Sequence, residues 1–243
     1  MIKFDNVSFQ YEQGIPVIKN LSFSMGAREN VGLIGANGAG KSTIMKILLG
    51  LLSYEGNVTV ESIPVVKKNY PEIRRKLGFV LQDSDNQMFM PTVYEDMMFA
   101  PMNYGLTREE AEKRVDRILE KLGLMELKHR YNHKISGGEK RMAAIATILA
   151  MEPKVILMDE PSTALDPMNR RTLINTINQL PQAKIIASHD LDMILETCSR
   201  VILLNHGEIV ADGETKEILT NQELLEANRM ELPFCLQKIN LVC

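Results

Sequence analysis

Gly35-Ala36-Asn37-Gly38-Ala39-Gly40-Lys41-Ser42-Thr43 separates an apolar run, Val31-Gly32-Leu33-Ile34, from the segment Ile44-Met45-Lys46-Ile47-Leu48-Leu49. The first flank has the length and composition of a buried strand, and the second reads as a helix. A pattern of glycine, four residues, glycine, lysine and serine thus falls at a strand-to-helix turn, the context in which it forms a phosphate cradle. Glycines let main-chain N–H groups approach phosphate oxygens with no Cβ in the way, and the following helix turns its unpaired N–H groups and positive dipole end toward them. Lys41 is placed to reach the β- and γ-phosphates, and the Ser42 hydroxyl to bind Mg²⁺. Glycine-rich turns occur in many α/β proteins without a ligand, but such turns need neither the lysine nor the hydroxyl beside it.

At 243 residues the chain can form one large domain, or one domain with an inserted lobe, around a sizeable core. A net charge of −3, from 28 basic and 31 acidic residues, gives no electrostatic case for a nucleic-acid partner. The basic cluster Lys67, Lys68, Arg74, Arg75 and Lys76 is expected to be a solvated face. Cys198, Cys235 and Cys243 are odd in number and lack metal-ligand spacing, as for ordinary thiols of a reducing compartment. Met1-Ile2-Lys3-Phe4-Asp5 has neither the basic start nor the apolar core of a signal peptide. No apolar run approaches the roughly 18 residues of a membrane span, so a role at a membrane is expected to come through a partner.

Alternation of Ile2, Phe4, Val7 and Phe9, then of Leu21, Phe23 and Met25, predicts a small antiparallel β layer ahead of the cradle. Tyr11 ends its first segment, where the ring could stack on adenine or close the edge of the layer. Gly56 to Val60 with Val65-Val66 predicts a further hairpin. Leu77 to Leu81 is a short buried strand that delivers Gln82 at its carboxyl end, the edge where α/β sheets collect ligands, so Gln82 can touch a metal or an attacking water. Residues 83 to 135 change character. Thr107-Arg108-Glu109-Glu110 has the form of a capping box, and the charged amphipathic helix behind it stops at Gly123, giving an inserted helical lobe. Five methionines lie between Met88 and Met102, with Phe89, Tyr94 and Phe99 among them. Lobe packing accounts for most of them. For Gln82 to Asp96 an adaptable docking surface is favoured, with Asp83, Asp85, Glu95 and Asp96 as acidic contacts.

Ser136-Gly137-Gly138-Glu139 fits a second capping box, heading a helix from Lys140 to Met151. Two glycines in a first helical turn cost on the order of 1 kcal/mol each relative to alanine, so a bare main chain there must serve something. Close approach of a phosphate to the helix start accounts for them. Val155 to Met158 is a strand that ends in two carboxylates, Asp159 placed to hold Mg²⁺ and Glu160 to orient or deprotonate a hydrolytic water; a plain surface turn is the minority reading. Pro161 to Asp166 is a polar loop. Lys184 to Ser188 is a last buried strand that presents His189 at the same edge, where a ring nitrogen could reach the γ-phosphate, although a histidine before Asp190 is more often a helix-cap neighbour. Asn205-His206-Gly207 marks a hairpin, and the tail from Glu214 to Cys243 reads as helical, then irregular after Pro233.

Taken in order, Tyr11, Gly35 to Thr43, Gln82, Ser136-Gly137-Gly138-Glu139, Asp159-Glu160, Asp166 and His189 form a pattern that resembles the ATP-binding cassette of ABC transporters over nearly the whole chain. The resemblance implies an α/β fold: a P-loop NTPase core of ABC type, with an antiparallel β layer and an inserted helical subdomain. It implies one ABC ATPase domain over 1–243, with 1–82 and 152–213 as the nucleotide core, 83–151 as the helical signature lobe and 214–243 as a C-terminal tail. ATP and Mg²⁺ are the implied cofactors. Tyr11, Gly35, Asn37, Gly38, Ala39, Gly40, Lys41, Ser42 and Thr43 would hold the nucleotide; Ser42, Gln82 and Asp159 the metal; Glu160, His189 and Gln82 would act in hydrolysis; and Ser136, Gly137, Gly138 and Glu139 would serve a partner subunit's ATP. Gln82 to Phe89, Lys140 to Ala146 and Glu226 to Pro233 look most like the cobalt and energy-coupling-factor importers. Ile135 and Glu139 depart mildly from the commonest signature of the ABC family, which has leucine and glutamine there. The implied partners are a second ABC ATPase subunit, identical or paralogous, and an integral membrane subunit docking near Gln82 to Asp96, with the chain peripheral on the cytoplasmic face of the cell membrane. A soluble ABC ATPase of translation or DNA maintenance is the alternative; the paired cassettes, coiled coil or basic surface usual there are not seen. A P-loop GTPase is disfavoured by the absence of an Asn-Lys-x-Asp motif, and neither a GTPase nor a kinase accounts for the Ser136 helix start.

Overall fold

Ten strands and nine α-helices follow one another along residues 1–11 and 14–237, which the computed structural model describes. Cys243 and the end of the tail lie outside these residues. The order is β1 (Ile2–Gln10), β2 (Pro16–Met25), β3 (Asn30–Ile34), α1 (Lys41–Leu48), β4 (Glu55–Val60), β5 (Ile63–Pro64), α2 (Tyr70–Lys76), β6 (Leu77–Val80), α3 (Val93–Asn103), α4 (Arg108–Leu122), α5 (Gly137–Leu149), β7 (Val155–Asp159), α6 (Pro167–Gln179), β8 (Ala183–Ala187), α7 (Leu191–Thr197), β9 (Arg200–Asn205), β10 (Glu208–Glu214), α8 (Thr215–Leu219) and α9 (Gln222–Ala227). Contacts divide the chain into one unit of Met1–Arg74 with Ala183–Cys243 and another of Arg75–Gln182.

In the first unit the antiparallel layer has the order β2-β1-β4-β5. Its alternation buries Ile2, Phe4 and Val7, and the cross-strand pair Phe4 and Phe23 stacks at 4.7 Å between ring centroids. The hairpin expected from Val65-Val66 closes earlier. Glu61 and Ser62 take left-handed φ values of 49° and 66°, so the return arm starts at Ile63, and Pro64 has no N–H with which to continue the ladder. Val65 keeps a single main-chain bond to Val58 O, 2.9 Å.

The mixed sheet of this unit runs β10-β9-β3-β8. β3 is parallel to both β8 and β9 and is buried on both faces, which is why Val31 to Ile34 and Ile185-Ile186 read as unbroken apolar runs. The hairpin between β9 and β10 turns at His206 and Gly207, both with positive φ. In the second unit β6 and β7 pair in parallel. Helices α3, α4 and α5 each begin with a complete capping box, at Thr92, Thr107 and Ser136. Because Ser136 is itself the cap, α5 starts at Gly137 and not at Lys140, so both glycines lie inside its first turn.

Lys184 on β8 is 2% exposed and donates to Asn30 Oδ1 at 3.3 Å. Burial pushes its ammonium down from 10.5 to about 8, and burial pushes the nearby Cys198 thiol up from 9.0 to about 12. Between pH 8 and 9 the unfolded chain therefore holds a proton on Lys184 that the folded chain has released, so stability rises with pH; above pH 9 the thiols of the unfolded chain ionise first and offset the gain. Denaturant midpoints measured across this range should rise from pH 8 to 9. Lys184→Met should flatten that rise and raise stability at pH 7 by on the order of 1 kcal/mol; a wild-type profile flat from pH 8 to 9 would contradict the assignment.

Candidate nucleotide site

β3 and β8 run side by side and end together, β3 leading into the cradle and β8 into Ser188 and His189. Gly35, Gly38 and Gly40 have φ of 142°, 80° and 110°, values that leave the main chain open to an anion and that other residues rarely adopt. Gly40 is the N-cap of α1, with no side-chain cap and no acid in the first turn, so its first N–H groups face the cradle without a local carboxylate. Lys41 is 7% exposed; its Nζ donates to Gly35 O at 2.7 Å and Ala36 O at 3.3 Å and lies 3.1 Å from His189 Nε2. The same Nε2 is 2.8 Å from Asn37 Oδ1. The sequence-predicted residues Gly35, Asn37, Gly40, Lys41 and His189 are thus brought together. Ser42 is half-buried and Thr43 buried in the first turn of α1. Tyr11 is 47% exposed with its ring edge-on to Phe9, centroids 4.8 Å apart.

In the second unit Gln82 follows β6 and Asp159 closes β7, whose parallel pairing of Val80 with Met158 puts both at one end of the pair. Glu160 has a left-handed φ of 46°, strain at a non-glycine residue of the kind that gathers at functional positions. In the second capping box Ser136 Oγ accepts from Glu139 N at 3.3 Å, and Glu139 Oε2 accepts from Ser136 N at 2.7 Å. That bond from Ser136 N, above all, holds the Glu139 carboxyl below its usual range. Neither the Gly137 N–H nor the Gly138 N–H takes part in the box. The two glycines also differ. A Cβ on Gly138 would lie 2.2 Å from the Asn169 side chain, whereas on Gly137 it would meet nothing within 4 Å. Gln82, Gly137 and the loop Thr163-Ala164-Leu165 line one cleft of about 460 Å³.

Several residues position this unit in ways the sequence did not reveal. Asp166 is the N-cap of α6, accepting from Met168 N and Asn169 N at 2.9 and 3.0 Å, and its second oxygen holds the Asn169 amide that lies against Gly138. Proline directly after a cap aspartate was the available signal. Arg141 of α5 donates to the carbonyls of both Leu81 and Gln82. Asp96, expected as an outward acidic contact, is 1% exposed. It accepts from Phe89 N and Met90 N, each at 3.2 Å, and from the Asn132 amide, so it fixes the segment from within, and burial raises its carboxyl pKa. Glu95 is likewise taken up in the Thr92 cap and Asp85 in an ion pair with Lys140.

Residues 18–163 match the family described as ABC transporter. The chain is 44% identical over 228 residues to a protein of Geobacter sulfurreducens named provisionally as an ABC transporter ATP-binding protein, covering 93% of this chain and 92% of that one. The chain belongs to the ABC transporter ATP-binding family. The energy-coupling factor transporter ATP-binding protein EcfA of Methanothermobacter thermautotrophicus is 40% identical to the cassette over 239 residues, 96% of this chain and 77% of that one. Among solved structures, CbiO1 from Clostridium perfringens, part of the ABC transporter complex CbiONQ, superposes with a TM-score of 0.84 at 32% identity, covering 93% of each chain. A dimeric cassette, MJ0796, bound to ADP and phosphate, gives 0.79 at 28% identity, covering 88% of this chain and 99% of that one. The cassette is accordingly an ATPase of the transport-coupled class, with the α/β fold of its family. Lys41→Ala should leave the fold intact and weaken nucleotide binding by roughly 10- to 100-fold, the value of a charge-assisted hydrogen bond; calorimetric titration with an affinity equal to wild type would remove the cradle lysine from the site.

Proposed function

We propose that the cassette powers an importer of the energy-coupling-factor kind for cobalt or nickel ions or a vitamin, through closure of two cassettes around ATP. The observation that carries this is Gly137. No neighbour among the described residues demands a glycine there, and its N–H stays outside the capping box, so the bare helix start is free to meet a phosphate held by a second cassette, a copy of this chain or a paralogue. Isologous pairing would complete two equivalent sites, each with Lys41 from one subunit and Ser136 to Glu139 from the other. The names of EcfA and of the CbiONQ complex support the importer branch.

Within each site Gly35 to Thr43 would bind the triphosphate, with Tyr11 on the adenine. Glu160 would orient and deprotonate the attacking water, and His189 and Gln82 would bear on the γ-phosphate. Ser42, Asp159 and Gln82 offer hydroxyl, carboxylate and amide oxygens, hard donors that suit Mg²⁺. When bound, the ion would neutralise charge on the phosphates. Glu160→Gln should bind ATP, hydrolyse it very slowly and accumulate as a nucleotide-dependent dimer on size-exclusion chromatography, whereas a variant that stays monomeric with ATP present would count against the scheme.

No helix among the described residues is long and apolar enough to cross a membrane. The chain would sit on the cytoplasmic face through a membrane subunit docked near Gln82 to Asp96. That segment and α3 expose Phe89 at 64%, Phe99 at 44% and Met102 at 45%, with the two phenylalanines edge to face at 4.9 Å, while Met88, Met97 and Met98 are core. Affinity purification from detergent-solubilised membranes should bring an integral membrane protein with the cassette, and Phe89→Ser should weaken its recovery. Recovery from the soluble fraction alone would favour a soluble ABC ATPase.

A further inference from the structure

Arg141 is 4% exposed, and burial pulls its guanidinium pKa down. Its Nη1 donates to Leu81 O at 2.6 Å and its Nη2 to Gln82 O, while Nε has no acceptor. No carboxylate pairs with it within salt-bridge distance among the described contacts; its partners are two consecutive main-chain carbonyls. A buried cation hydrogen-bonded only to carbonyls, with the Asp83 charge acting on it from beyond salt-bridge distance, is costly to desolvate, and an apolar side chain of similar size would fill the space more cheaply. What the planar fork adds is two donors at fixed spacing, which lock the orientation of the two consecutive peptide units on either side of Gln82. Gln87 adds a second tie between the same two elements: its Oε1 accepts from Leu81 N at 3.0 Å and its Nε2 donates to Ala144 O at 2.8 Å. Both ties end on α5, the helix that begins with Ser136-Gly137-Gly138-Glu139.

We infer that Arg141 is a positioning residue that fixes the main chain of Gln82 to α5, so that Gln82 and the Gly137 helix start move as one body when nucleotide is bound or hydrolysed. The inference rests on the proposed role of Gln82 at the γ-phosphate. It assigns to Arg141 no contact with nucleotide: its effect passes through Gln82. Loss of the fork should therefore lower turnover while leaving nucleotide binding at the cradle intact, and lysine, with one compact ammonium, should restore turnover only in part.

Full-length Arg141→Met, Arg141→Lys, Gln82→Ala and the Arg141→Met/Gln82→Ala double variant are compared by steady-state ATPase kinetics after thermal melts establish folding. The expected result is a kcat lowered about tenfold or more in Arg141→Met with KM for ATP within about twofold of wild type, an intermediate kcat in Arg141→Lys, and little further loss in the double variant beyond Gln82→Ala alone. An unchanged kcat in Arg141→Met, a loss additive to that of Gln82→Ala, or a raised KM at constant kcat overturns the inference. If Gln82→Ala itself turns over like wild type, the proposed role of Gln82 is what fails. Should Arg141→Met not fold, Gln87→Ala carries the same expectation of reduced kcat at constant KM, and wild-type turnover in that variant is equally decisive against it.

Discussion

A methyl group on Gly35 would stand 2.2 Å from the carbonyl oxygen of Leu204, and one on Gly40 would stand 2.6 Å from Ile18 Cδ1 and 3.2 Å from Val17 O. The cradle is therefore wedged between the end of β9 and the start of β2, Gly35 against main chain and Gly40 against the Ile18 side chain and the Val17 carbonyl. That close approach fixes the loop so that Lys41 can rest on Gly35 O and Ala36 O, at the head of a helix whose first turn carries neither a side-chain cap nor an acid. Only glycine meets both demands, the positive φ and the missing volume, so the bare main chain that the proposed phosphate site needs is settled by packing.

In the second unit the same economy of side chains appears at α5, with a different cause at each glycine. Gly138 yields its volume to Asn169, itself held by Asp166, so the first turn of α6 leans on the start of α5. Gly137 yields to nothing among the described residues. One turn further along, Arg141 and Gln87 tie α5 to the peptide of Gln82. A single helix thereby carries a bare N-terminus, a seat for the first turn of α6, and the anchor of a strand-end glutamine.

Much of this was legible in the amino-acid sequence because the signals are local. β3, β7 and β8 announce themselves as short apolar runs, and the boxes at Thr107 and Ser136 as residues three apart. The strand-to-helix glycine pattern fixes where α1 begins. What stayed hidden depends on tertiary contacts. Asp96 has the composition of a surface acid, yet it is buried because two main-chain N–H groups and Asn132 converge on it. Arg141 reads in sequence as one more polar residue beside Glu139 and Lys140, until the loop at Leu81 and Gln82 is folded over it. Helix α6 escaped notice because Leu173, Ile174 and Ile177 are set in a polar segment behind a loop, although Asp166-Pro167 marks its start. The early closure of the β4 and β5 hairpin was decided by positive φ at Glu61 and Ser62, which neither residue type advertises.

The central claim is that each catalytic pocket takes Lys41 from one subunit and the Gly137 helix start from another. Complementation between two inactive variants tests it most directly: Lys41→Ala and Gly137→Leu chains, each folded and each unable to turn over ATP alone, are coexpressed and assayed together under conditions where the wild-type chain alone is active. The account predicts that ATPase activity returns on mixing, because a mixed pair contains one pocket with both elements intact. A mixture as inactive as its components, while mixed pairs are demonstrably formed, would contradict it.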